Sequence, residues 1–147
     1  MYERVLVPTD GSELSETAAR HALDVAAQYG ATLHAIYVVD TDTGWLTVSK
    51  ADVRDAIREL GDNAGEEAIE SVERLAADAD VDLVTAVLDG SPDDEILRYA
   101  DEHDADLIVM GTHGRDGIGR RVVGSITERV VRGASVPVMA VNAGSDD

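Results

Sequence analysis

Leu107-Ile108-Val109-Met110 is apolar at every position and stops at Gly111. A strand with water on one side alternates apolar and polar residues. A run with no polar position has both faces covered, as in a parallel sheet packed under helices. Arg4-Val5-Leu6-Val7-Pro8 reads the same way and is closed by Thr9, Asp10 and Gly11. Leu14, Ala18, Ala22, Val25 and Tyr29 then recur at helical spacing, with Ser12 as N-cap and Gly30 as the stop. Ala31 to Val39 is the next strand, followed by a polar loop from Asp40 to about Ser49 that carries Trp45 and Leu46. Val53, Ile57, Leu60, Ala64, Ala68, Val72 and Leu75 form one long helical stripe. Gly61, Asn63 and Gly65 lower helix propensity enough to predict a kink or a break there.

The second half repeats the alternation. Leu83 to Leu88 is a strand, and Ser91-Pro92-Asp93-Asp94 starts a helix with a capping hydroxyl, Pro in first position and acids in the first turn. Ile96, Leu97 and Ala100 supply that helix's apolar face. Ser125 begins a last helix to about Gly133, and Val136 to Val141 is a fifth strand. The expected fold is α/β: a five-stranded parallel sheet in a three-layer α/β/α sandwich with right-handed crossovers, one domain over residues 1–147. Asn142 to Asp147 reads as a frayed tail.

Composition narrows the function. Twelve basic residues against thirty acidic ones leave a formal charge of -18, which repels nucleic-acid backbones. Without Cys, disulfides, thiolate catalysis and cysteine zinc sites are excluded. Met1-Tyr2-Glu3-Arg4 leads directly into the first strand with no signal-peptide pattern, and no apolar run approaches the ~18 residues of a membrane span. The expectation is a cytoplasmic protein with no membrane partner. Lys50 is the sole Lys, and Asp predominates among the acids. That bias reads as a halophilic adaptation to high internal salt, which unfolding midpoints in low and multimolar salt would test.

Ligands of open α/β sheets bind beyond the carboxyl ends of the strands, where chain order reverses. Two segments lie at such ends: Pro8-Thr9-Asp10-Gly11, and the loop from Gly111 to Ser125. The latter holds five of the chain's thirteen glycines. From Gly111 to Arg132, Arg115, Arg120, Arg121, Arg129 and Arg132 outnumber Asp116 and Glu128, a basic island in an acidic chain. Gly124-Ser125 opens a helix whose amides and dipole favour an anion. The same residues also read as a capping box, in which Ser125 and Glu128 satisfy the helix's own amides. His21, His34 and His103 show no ligand spacing and read as structural, while His113 is either a phosphate contact or a solvated loop residue.

Gly111, Gly114, Gly124 and Ser125 have the spacing Gly, two residues, Gly, nine residues, Gly-Ser. With Val5-Leu6-Val7-Pro8-Thr9-Asp10-Gly11-Ser12, Gly90-Ser91-Pro92, Ala105-Asp106-Leu107-Ile108-Val109-Met110-Gly111 and Val136-Pro137-Val138, the chain resembles a universal stress protein of the nucleotide-binding type over residues 2–142. The resemblance implies a Rossmann-like fold akin to the adenine nucleotide alpha hydrolases. It also implies an ATP site, with Mg²⁺ held mainly by the phosphates and no metal site on the protein. In that site Asp10 contacts the adenosine, Pro8 and Thr9 line that side, and Val38 meets the adenine. Met110 and Gly111 belong to the same site, Gly111 and Gly114 let the loop close over ribose and phosphates, and Arg115 approaches them. Gly124, Ser125, Ile126 and Thr127 hold the phosphates. Homodimers through the last strand are implied too, and Val136 to Val141 has the apolar character of an exposed sheet edge.

Other nucleotide folds fit poorly. Lys50 stands far from any glycine cluster, so a P-loop is excluded, and the first strand is not followed by a dinucleotide fingerprint. A receiver domain lacks its Lys, since Ser135-Val136-Pro137 occupies that place, and no Gly-x-Ser-x-Gly elbow supports a hydrolase. Three readings stay open: a nucleotide-binding regulatory module without efficient turnover and with no catalytic residues, a slow ATPase or self-phosphorylating protein with Ser125 or Thr127 as acceptor, and a dimeric adaptor.

Overall fold

The computed structural model describes residues 1–40, 51–112 and 124–142, with side chains described throughout except at 51–62. Five strands alternate with four helices: β1 (Arg4–Pro8), α1 (Glu13–Tyr29), β2 (Thr32–Asp40), α2 (Ala51–Ala79), β3 (Leu83–Gly90), α3 (Pro92–Glu102), β4 (Leu107–Gly111), α4 (Ser125–Gly133) and β5 (Val138–Val141). All strand pairs are parallel, in the order β3-β2-β1-β4-β5. The chain therefore runs outward from β1 through β2 to β3, then returns to the other side of β1 for β4 and β5. The reversal falls between β1 and β4.

Side-chain alternation along the strands splits the core into two layers. Val5, Val7, Leu33, Ala35 and Val109 face α1 and α2, where Ala18, Ala22, Leu23 and Val72 meet them. Leu6, Ile36, Ile108 and Met110 face the other way, against Ile96, Tyr99 and Ala100 of α3 and Val130 of α4. Val5 to Val7 of β1 and Leu107 to Met110 of β4 are all buried, as unbroken apolar runs require. Among the described residues no helix is long and apolar enough to cross a membrane.

Several local expectations change on contact with tertiary structure. The segment from Ala51 to Ala79 is one continuous helix rather than two. Gly65 serves close packing instead of a break: a Cβ there would lie 2.9 Å from the Tyr37 ring and 3.3 Å from Val87. β5 starts at Val138, not Val136, because Pro137 has no N–H for a ladder and contributes only its carbonyl, which accepts from Ile108 N–H at 3.0 Å. At α3, Pro92 takes the first position, yet the Ser91 hydroxyl does not cap the helix; it donates to the Asp93 carboxylate at 3.0 Å. Tyr29 ends the helical stripe of α1 on the surface, edge-on to Tyr2. Gly30 does stop α1, in the left-handed conformation. The polar loop with Trp45 and Leu46 and the tail beyond Asn142 lie outside the described residues.

Candidate functional site

β1 and β2 end at different heights, and this opens one side of the crevice. β1 stops at Pro8; the Thr9 N–H still donates to the Ile36 carbonyl at 2.8 Å, and Gly11 (φ +82°) then turns the chain into α1. β2 continues to Asp40. Thr32 N–H donates to Glu3 O while Leu33 N–H donates to Asp82 O, so the even-numbered residues of β2 address β1. Val38 therefore turns its N–H and C=O toward β1 beyond that strand's last residue, where neither has a partner among the described residues. On the other side, β1 pairs with β4 only at Val5↔Leu107 and Leu6↔Ile108, and the ladder stops short of Pro8, which has no N–H.

A second set of residues closes the base of the long loop. Thr112, buried just after β4, donates its N–H to Val141 O at 2.9 Å and accepts from Gly124 N–H at 2.6 Å. Thr112 and Gly124, the described residues on either side of 113–123, are thus bonded directly to each other. Thr127 is 3% exposed and donates its hydroxyl to Gly111 O at 2.8 Å, tying the first turn of α4 to the end of β4.

The N-cap of α4 is Gly124 (φ -62°, ψ 151°), and no side chain caps it. The capping-box reading is therefore corrected: Ser125 is the first helical residue, one position too late for its hydroxyl to serve as cap. The first helical bond is Glu128 N–H to Gly124 O at 2.9 Å, which leaves the amides of Ser125, Ile126 and Thr127 without partners among the described residues. Three aligned donors and the positive end of the dipole face the crevice mouth.

The start of α1 is built the opposite way. Ser12 Oγ accepts from Ser15 N–H at 3.2 Å, and Ser15 Oγ donates to Ser12 O at 2.8 Å. With its only hydroxyl hydrogen so engaged, Ser15 accepts from Thr9 Oγ1 at 3.0 Å, and Thr9 Oγ1 in turn accepts from Gly11 N–H at 3.2 Å. Asp10 Oδ1 accepts from Ser12 N–H at 2.9 Å. Nothing in the sequence pattern singled out Ser15 or Thr112. Their signal was a hydroxyl residue just beyond a strand or on the inner face of a first helical turn, which is too common to select.

The fold thus brings Pro8, Thr9, Asp10, Val38, Gly111, Gly124, Ser125, Ile126 and Thr127 to one end of the sheet. Asp10, Pro8 and Val38 are half-buried and Ser125 and Ile126 exposed, whereas the Met110 side chain belongs to the core beside α3. His113, Gly114, Arg115, Arg120 and Arg121 lie outside the described residues. Two arginines of the basic island do not serve this end freely. Arg132 is in the last turn of α4, 3.7 Å from Glu128, and Arg129 lies 3.9 Å from Asp93 of α3. Among the described residues no three His, Cys, Asp or Glu side chains gather as a metal site.

A doubly wound parallel sheet, with an uncapped helix and an open strand edge at its switch point, defines an α/β domain of the kind that receives anionic ligands at the strand ends. Residues 1–142 match the universal stress protein family, and the chain belongs to that family. A universal stress protein of Methanocaldococcus jannaschii is 39% identical over 141 residues, covering 96% of this chain and 82% of that protein. The solved universal stress protein UspA from Lactobacillus plantarum superposes with a TM-score of 0.83 at 29% identity, over 96% of this chain and 98% of that one. A universal stress protein crystallised in complex with cAMP superposes with a TM-score of 0.75 at 29% identity, over 97% and 99% of the two chains.

Proposed function

We propose that the chain binds an adenine nucleotide, ATP with Mg²⁺ held mainly by the phosphates, as a regulatory module without efficient turnover. The observation that carries the reading is the uncapped start of α4, where three main-chain amides beside the switch point have no partner among the described residues. Phosphate oxygens are the natural acceptors for such donors. Val38 supports the choice of base: one N–H and one C=O side by side match the N1 acceptor and the 6-amino donor of adenine. The relative solved with cAMP binds an adenine nucleotide, which agrees with that choice. Asp10 would then lie on the adenosine side with Pro8 and Thr9, Gly111 and Gly114 would let the loop approach ribose and phosphates, and Arg115 would add charge to them.

Low turnover follows from the same residues. The Thr127 hydroxyl is buried and donates to Gly111 O, so it is a strut and a poor phosphoryl acceptor. Asp10 already holds the Ser12 amide, which ties it to the loop rather than to an attacking water. Titration calorimetry with ATP and Mg²⁺ in molar salt is expected to give saturable one-site binding, and single-turnover assays to give slow phosphate release. No heat at millimolar nucleotide would overturn the reading, and rapid release abolished by Ser125→Ala would replace it with an ATPase. The outer position of β5, with Met139 38% exposed, supports a homodimer through that strand. Light scattering is expected to give twice the chain mass, and a monomer at micromolar concentration would contradict it.

A further inference from the structure

His34 and His103, 69 positions apart in the chain, are brought together with Tyr99 at the end of the sheet away from the crevice. His34 lies near the start of β2, opposite Leu6 of β1, and is 8% exposed. Its Nδ1 is 2.8 Å from the hydroxyl of Tyr99, which α3 buries to 5% exposure. The His103 ring stacks on Tyr99 with centroids 3.8 Å apart and planes at 16°, and its Nδ1 is 3.1 Å from Tyr99 O. The two imidazole centroids are 5.6 Å apart. Two of the histidines that the sequence reads as structural thus share one tyrosine.

We propose that His34, Tyr99 and His103 form an acid-released latch that holds α3 against the sheet. This goes beyond nucleotide binding and does not depend on it. A neutral imidazole has one N–H and one lone pair, so the Nδ1–hydroxyl contact is satisfied in either tautomer. A proton taken from water makes both nitrogens donors. The Tyr99 oxygen must then act as acceptor alone, with its own hydrogen turned into a buried surround. The His103 ring, stacked on the same tyrosine with its centroid 5.6 Å from that of His34, opposes the new charge.

The charged and titratable groups around His34 act in one direction. Burial holds its pKa below the usual 6.5, and His103 on α3 and Arg4 on β1 lower it further; its neighbour on β3 is Val84, and burial also raises the Tyr99 phenol. His103 itself is exposed, at the acid-rich end of α3 beside Asp101, Glu102 and Asp104. Because desolvation is the largest cause, molar salt screens only the lesser part of the effect. The latch sits on an element with a second attachment, since the far end of α3 places Asp93 within 3.9 Å of Arg129 on α4.

The test is nucleotide-free NMR of the full chain at constant molar salt, at about pH 7.5 and about pH 5.5. The His34 ring protons are expected to titrate below 6.5. Amide protection factors over Ile96–Ala100 are expected to drop several-fold across that interval, toward the limit of about tenfold that one histidine with an open-state value of 6.5 allows. His34→Asn, which keeps an acceptor near the Nδ1 position without the titration, is expected to hold the drop to about twofold or less. Should that variant fail to fold, Tyr99→Phe is the alternative; its protection at the higher pH is expected to be already as low as the wild type in acid. The latch is overturned by a His34 midpoint at or above 6.5, by unchanged wild-type protection, by a full-size drop in His34→Asn, or by wild-type behaviour in Tyr99→Phe.

Discussion

The starts of α1 and α4 flank the same crevice and are finished in opposite ways. At α1, hydroxyl and carboxylate oxygens from Thr9, Asp10, Ser12 and Ser15 satisfy the backbone locally, and Glu13 and Glu16 add negative charge to the first turn. At α4 the cap is a glycine and the only acid in the first turn is Glu128. A capped helix end has little left to offer an anion, whereas the start of α4 keeps its dipole and three donors that no described residue engages. The difference assigns the two ends separate tasks: α1 anchors the turn out of β1, and α4 provides the electropositive end of the crevice.

The largest expected effect comes from erasing that difference. Gly124→Asp supplies a capping carboxylate to α4 where the phosphates are proposed to lie. Nucleotide affinity by calorimetry should fall by about 2 kcal/mol or more, roughly 30-fold, through lost amide contacts and like-charge repulsion. Asp is also a better N-cap than Gly, so the melting temperature should hold or rise slightly. Lost affinity together with lost stability would point to simple damage instead.

Thr127→Val removes the strut while keeping the shape. It leaves Gly111 O without its buried donor, and denaturant unfolding should show a loss of about 1–2 kcal/mol. Ser12→Ala opens the closed end; unfolding should register about 1 kcal/mol, with nucleotide affinity nearly unchanged. A large affinity loss from Ser12→Ala would erase the division of labour between the two helices.

The smallest effect leaves both helix ends untouched. His34 has a folded pKa below its unfolded value of 6.5, so its contribution to stability is complete above that pH. It is lost as pH falls from there through the folded pKa. Melting temperatures should therefore rise with pH across this window, less so in His34→Asn, and an equal slope in both proteins would remove His34 as the cause.

Much of the fold was legible in the chain because burial leaves a compositional mark. Leu107 to Met110 and Val5 to Val7 had to be strands covered on both faces, and Gly30 marked the end of α1 through its left-handed turn. Gly65 read as an interruption because propensity is local; only the approach of Tyr37 shows why a glycine is needed inside α2. The same limit misplaced the cap at Ser125. Ser-x-x-Glu is a valid box in isolation, but the Gly124 bond to Thr112 and the Thr127 bond to Gly111 start the helix so that the box cannot form.

By itself the sequence determined the α/β class, the order of its elements and the segments able to receive an anion, since periodicity, glycine spacing and charge are properties of the chain. Tertiary structure decided which groups are left open and which are taken. Val38 has a backbone edge without a partner among the described residues because β1 ends below it, and Arg129 comes within 3.9 Å of Asp93 because α3 lies beside α4. Hydrogen-bond satisfaction and long-range pairing depend on neighbours distant in sequence, and residues become neighbours only in the folded chain.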